Sequence, residues 1–223
     1  MLYSDRKSKQ QFVYRKYKNF LKESILDVGA DEMYLKEFLS PDIKYTGIGL
    51  GKNPDLIKID LEKEKIPFPD SYFYCVLCLD VLEHIENIHE VFDDLCRVSK
   101  KYVIISLPNP WSDFIYSIMF EPYRKDKPLK FYGLPLERED DRHKWFFSSK
   151  EARSFVEYRA NKNNFKVINY FNENQGNKGL PKSLWKRIIL APILIPLYKL
   201  FFRSDLDLTE IFESTGWWVL EKN

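Results

Sequence analysis

Residues 24–29, Ser24-Ile25-Leu26-Asp27-Val28-Gly29, form a short, nearly continuous apolar run broken by one carboxylate and closed by a glycine. A run without apolar/polar alternation predicts a strand buried on both faces, as in parallel sheets covered by helices. The glycine marks where the backbone leaves the sheet and where a ligand can approach closely. Upstream, residues 10–21 carry Phe12, Val13, Tyr17, Phe20 and Leu21 on roughly one helical face. Downstream, a helix is expected from about Glu32, with Met33, Leu35, Phe38 and Leu39 as apolar positions and Pro41 as its stop.

The pattern recurs along the chain. Residues 44–50, 56–60, 73–80 and 101–107 read as further strands, and Pro108 stops the last of these. Asn87 with Glu90 predicts a capped helix, whose Ile88, Val91, Phe92, Leu95 and Cys96 follow helical spacing. Ser148 and Glu151 predict a capping box, opening a helix with Ala152, Phe155, Val156 and Ala160 on one face. Residues 165–171 and 216–220 are the last two strands. Strands alternating with helices or short connections imply an α/β fold, a doubly wound and mainly parallel sheet of about seven strands. Residues 1–223 read as a single domain, with residues 108–147 and 172–213 as insertions on the sheet core.

Composition narrows the class. With 223 residues, 44% of them hydrophobic, the chain can build a sizeable core, which argues against disorder. A formal net charge of +2 offers nucleic acid no global attraction. Residues 1–22 are polar and basic, without the apolar run of a secretory leader, so a cytoplasmic location is expected. Cys75 and Cys78 spell C-x-x-C, a metal or redox spacing. They lie in an apolar strand, however, where residues three apart face opposite ways. Plain core cysteines are expected, and no metal.

Ligands of open α/β sheets bind outside the carboxyl ends of the strands. Four of those ends are chemically marked: Asp27-Val28-Gly29, Gly49-Leu50-Gly51, Asp60-Leu61 and Asp80-Val81. Glycines admit a ligand to the backbone, and carboxylates accept hydrogen bonds from hydroxyl and amine groups. A nucleoside with an amino-acid tail suits such a rim.

These residues resemble class I S-adenosylmethionine (SAM)-dependent methyltransferases, particularly the broad bacterial group acting on small molecules. The resemblance is carried by residues 25–29 after a lead-in helix and by Tyr45-Thr46-Gly47-Ile48 in the second strand. Asp60-Leu61-Glu62 follows, with residues 66–70, and then residues 72–84, closed by Leu79-Asp80-Val81-Leu82-Glu83-His84-Ile85. It covers roughly residues 12–110, and the late capped helix and Trp217-Trp218 strand match the family's closing elements. It implies a Rossmann-like sheet with the last strand antiparallel and SAM as cofactor. The cofactor-binding set it implies is Asp27, Gly29, Ala30, Asp31, Gly49, Leu50, Asp60, Leu61, Asp80 and Val81. Two departures stand out. The first loop, Asp27-Val28-Gly29-Ala30-Asp31-Glu32-Met33, keeps one of the family's three glycines. Gly49 also stands where the family has a ribose-holding carboxylate, a charge-assisted interaction worth about 1.5–3 kcal/mol; Asp31 is a substitute within reach.

Two rivals follow. A nicotinamide dehydrogenase needs G-x-G-x-x-G after the first strand, and residues 29–34 lack two of those glycines and add two carboxylates. A methyltransferase-like binding or scaffold module that has lost catalysis would explain Asp31, Met33 and Gly49. The retained Asp27, Gly29, Asp60 and Asp80 argue for the enzyme.

For catalysis the candidates are His84, after the fourth strand, and His143, in Arg142-His143-Lys144-Trp145-Phe146-Phe147-Ser148. Either is placed to take a proton from a hydroxyl acceptor. The bland alternatives are a loop anchor for His84 and a hydrophobic staple for the His143 segment. His89 reads as a solvated helix residue. Asn109-Pro110 is either a polar wall or a turn. The acceptor expected is a small molecule or saccharide. Residues 184–203 enclose an uncharged run of eleven residues, 188–198, flanked by Trp, Lys and Arg. The run is too short to span a bilayer, but suits peripheral contact with one and hence a lipid-linked acceptor. A lid or dimer contact is the alternative, and the oligomeric state stays open.

Overall fold

A computed structural model describes residues 3, 5–114, 132, 136–137, 142–174 and 213–223. Helix α1 spans Arg6–Tyr17, four residues earlier than the apolar pattern suggests. The cause is a capping box that the pattern does not show: Asp5 accepts from the Ser8 amide, and Ser8 returns a bond to the Asp5 amide. Strand β1 is Ser24–Val28, as expected. The helix expected from Glu32 is instead a single 3-10 turn, Tyr34–Phe38. Asp31 and Met33 both take positive φ, 25° and 56°, which breaks the helix before it can start.

Strand β2 is Lys44–Gly49, β3 only Ile57–Lys58, and β4 Phe73–Leu79. A 3-10 turn at Leu82–His84 leads to α2, Ile88–Val98. Asn87 precedes α2 without capping it, contrary to expectation, because its Nδ2 donates to the Leu61 carbonyl at 3.1 Å. Strand β5 is Ser99–Pro108, and residues 110–114 are helical. Helix α3, Ser149–Lys162, begins with the expected Ser148/Glu151 capping box. Strands β6, Phe165–Asn174, and β7, Glu213–Lys222, complete the sheet.

The seven strands run in the order β3-β2-β1-β4-β5-β7-β6. All pairs among β1 to β5 are parallel, and β7 is antiparallel to both β5 and β6. Alternate residues feed two cores. Leu26, Val76, Val103 and Trp218 pack with Phe92 and Val156 from α2 and α3. Ile25, Leu77, Ile104 and Trp217 pack with Val13 and Tyr17 of α1 on the other face. Burying each of the two tryptophans contributes on the order of 5 kcal/mol of transfer free energy. The same alternation sends Cys75 and Cys78 into opposite cores, both as buried thiols. Most of residues 108–147 and 172–213, including all of 184–203, lie outside the described residues. Among the described residues no helix is long and apolar enough to cross a membrane.

Candidate active site

The strand order turns back between β1 and β4, which opens a crevice at their carboxyl ends. Gly29 follows β1 with φ +77°. A Cβ there would sit 2.4 Å from Val81 Cγ2, so a glycine is what lets the loops after β1 and β4 close on each other. The Gly29 and Ala30 amides donate to the Ile48 carbonyl at 2.8 and 3.2 Å, joining this loop to β2. Gly49 has φ +152°, and a Cβ would lie 3.3 Å from Gly29 Cα. An acid at this position, as in the family, would therefore be strained and crowded. Asp31, in the same loop as Gly29, accepts from Arg6 of α1 at 2.7 Å.

Two carboxylates flank the crevice. Asp27 is buried and accepts from the Tyr45 hydroxyl at 2.6 Å. Burial pushes its pKa up to about 6, against the opposing pull of Tyr45 and the Lys9 charge. Asp80 follows β4 in left-handed backbone, φ 53°. It accepts from Ser106 Oγ and pairs with Lys9 Nζ from α1. Burial alone would raise its pKa; the Lys9 charge, the bonds from Lys9 and Ser106 and the nearby His143 outweigh burial and lower it. Asp27, Gly29, Ala30, Asp31, Gly49, Asp80 and Val81 thus gather at one rim. Asp60 and Leu61 stand at its outer end, after β3. Asp60 pairs with Lys63 at 2.6 Å, Leu61 is buried in the core, and Leu50 is exposed.

Beyond Asp80, His84 and His143 meet edge to face with ring centroids 4.8 Å apart. His84 Nδ1 bonds the Arg142 carbonyl at 3.1 Å, and His143 Nδ1 shares a hydrogen bond with the Tyr132 hydroxyl at 2.9 Å. Buried Glu83 places Oε1 3.8 Å from His84 Nε2. The His143 segment is docked firmly. The Lys144 amide donates to the Glu83 carbonyl at 2.8 Å, Lys144 Nζ to Glu62 at 2.5 Å, and Trp145 Nε1 to the Ile85 carbonyl at 2.7 Å. These contacts make the segment a wall of the site, carried by polar bonds as well as by apolar packing. An apolar cleft lined by Ile88, His89, Leu107, Trp145, Phe147 and Phe155 adjoins it. Asn109 is spent structurally: its Nδ2 donates to the Glu213 carbonyl at 2.9 Å. Glu83, Tyr132, Lys9 and Arg6 were not singled out by sequence reasoning. Glu83 adjoins His84 in the motif, but nothing in the sequence brings Lys9 to Asp80, 71 residues away.

Residues 6–173 match the methyltransferase-domain family. The fold is similar to a crystal structure of a SAM-dependent methyltransferase from Archaeoglobus fulgidus. That likeness has TM-score 0.56 and 16% identity over 98% of this chain and 95% of the other. A SAM-dependent methyltransferase from Methanosarcina mazei gives TM-score 0.52 and 17% identity over 94% and 97%. The [4+2]-cyclase SpnF gives TM-score 0.55 and 10% identity over 97% and 80%. No curated protein matches in sequence. The chain belongs to the class I SAM-dependent methyltransferase family and is an enzyme of that class, with SAM as its cofactor. The rim suits that cofactor chemically. Asp27 and Asp80 are carboxylates of the kind that accept from an ammonium, and Lys9 is a cation of the kind that pairs with a carboxylate.

Proposed function

We propose that the enzyme methylates a hydroxyl of a small-molecule or saccharide acceptor, bound between the cofactor rim and the His84–His143 wall. Bound SAM supplies an electrophilic methyl on a sulfonium, which needs alignment more than further activation. In this reading Gly29, Ala30, Asp27, Asp80 and Val81 hold the methionine end, with Lys9 turning from Asp80 to the carboxylate. Gly49, Leu50 and Asp31 border the ribose, and Asp60 and Leu61 the adenine. A hydroxyl acceptor gives its proton to the imidazole of His84 or His143 as its oxygen takes the methyl and the carbon–sulfur bond of the sulfonium breaks, leaving a neutral thioether. The adjoining apolar cleft receives any apolar part of the acceptor.

The observation that carries this reading is the imidazole pair beside Asp80, at the end of the rim. Its test is methyl transfer from labelled SAM to a panel of hydroxyl acceptors. His143→Ala is expected to lower turnover about a hundredfold while changing the SAM dissociation constant little. Turnover unaffected by that substitution would return His143 to a packing role.

A second reading concerns location. The uncharged run 188–198 between basic and Trp-containing flanks favours peripheral membrane contact and, with it, a lipid-linked saccharide.

A further inference from the structure

Glu83, His84 and His143 bring one ligand atom each to within 4.8 Å of one another, the single such group of three among the described residues. We propose that these three side chains form a binding site for a divalent transition-metal ion such as Zn2+. The two-imidazole, one-carboxylate set is the donor chemistry such ions select, and it leaves coordination positions open for a further oxygen.

The surroundings support ligation. Metal-bound imidazoles carry an outer hydrogen bond on the other ring nitrogen, which fixes the ring and its tautomer. Both rings have that bond here, His84 Nδ1 with the Arg142 carbonyl and His143 Nδ1 with the Tyr132 hydroxyl, so ligation falls to Nε2. His84 Nε2 already points at Glu83 Oε1, 3.8 Å away. Glu83 itself is buried. Donors at about 2.0–2.2 Å from an ion lie roughly 3.5 Å apart in tetrahedral geometry. Side-chain movements on the order of 1 Å would close the present spacing. The C-x-x-C pair takes no part, since its thiols face opposite cores.

The site deepens the acceptor chemistry and rests on that reading for its role. With the ion in place the two imidazoles act as ligands and no longer as bases; an acceptor hydroxyl on the open coordination position then loses its proton to solvent, because the ion lowers its pKa. Ion binding itself needs neither SAM nor acceptor, so the two can fail separately.

The test uses the full chain stripped with a chelator and titrated with Zn2+ by calorimetry and with Co2+ by visible absorption. One ion per chain is expected, with intense tetrahedral Co2+ bands. His84→Ala and His143→Ala should each weaken binding at least about tenfold. Tyr132→Phe, which preserves the ring packing, should weaken it roughly tenfold through the outer hydrogen bond. His89→Ala, removing the remaining histidine of the chain, should leave the ion affinity unchanged. Circular dichroism on each variant confirms that the fold is kept, and Glu83→Gln substitutes for any variant that unfolds. No saturable binding by the unaltered chain, or equal affinity in the His84 and His143 variants, overturns the proposal. Either result leaves the cluster as a packing contact of Glu83, His84 and His143. Loss of SAM binding by the metal-free chain counts against the acceptor reading and not against the ion site.

Discussion

Asp27 sits in the first strand with its carboxyl pKa raised by burial to about 6 from an ordinary 3.8. The sign of the linkage follows. Between about pH 4 and about pH 6 the folded chain keeps a proton that the unfolded chain has lost, so Asp27 makes stability fall as pH rises through that window. The full effect is on the order of 3 kcal/mol. Asp27→Asn keeps an acceptor for the Tyr45 hydroxyl and removes the titration. Urea unfolding at about pH 4 and about pH 7 should show the variant gaining on the unaltered protein by about 2–3 kcal/mol as pH rises. Parallel pH profiles would show that the buried carboxyl does not titrate in this range.

Among the elements, α2 holds the loop before β4 through one residue. Arg97 donates to Asp94 at 2.6 Å, to the Ile66 and Phe68 carbonyls at 2.8 and 2.7 Å, and to Asp70 at 3.0 Å. Asp94 in turn accepts from the Ile66 amide at 2.6 Å. Arg97→Ala takes a charged donor from the largely buried Asp94, which keeps the Ile66 amide, and from the Ile66 and Phe68 carbonyls. Arg97 is about one-third exposed, which discounts the loss to about 2 kcal/mol. A urea midpoint lower by the corresponding amount checks it, and an unshifted midpoint would place the loop's support elsewhere. This clamp was invisible in sequence because, Asp94 apart, its partners are 27 to 31 residues from Arg97. Strand cores, by contrast, were legible: runs such as residues 73–79 have no polar face to mislead. The Ser148 box was legible too, since its partners are three residues apart. Asn87 showed the same local signal and failed, because Leu61 offered its side chain a competing acceptor. The short 3-10 turn at Tyr34–Phe38 was missed because apolar spacing carries no information about the positive φ values at Asp31 and Met33.

For the whole molecule, the rim was readable because strand ends converge in any doubly wound sheet, so Asp27, Gly29, Asp80 and Val81 needed only their order. The wall was half readable. Both histidines were evident, but their meeting across 59 residues and the part played by Glu83 were not. The same scale governs location. If residues 184–203 lie in a bilayer interface, the chain should co-sediment with anionic liposomes at low salt, and Ile189→Glu with Leu194→Glu should release it to the supernatant. Equal recovery of both forms in the supernatant would leave a freely diffusing acceptor.

Calorimetric titration of the purified chain with SAM and S-adenosylhomocysteine tests whether the rim holds the cofactor. Saturable one-to-one binding by the unaltered chain is expected. Asp60→Ala, which leaves the core intact, should weaken it about tenfold or more. Gly29→Arg should abolish it by driving a side chain into the place held by Val81. A flat titration of the unaltered, folded chain would mean that the fold has outlived its cofactor.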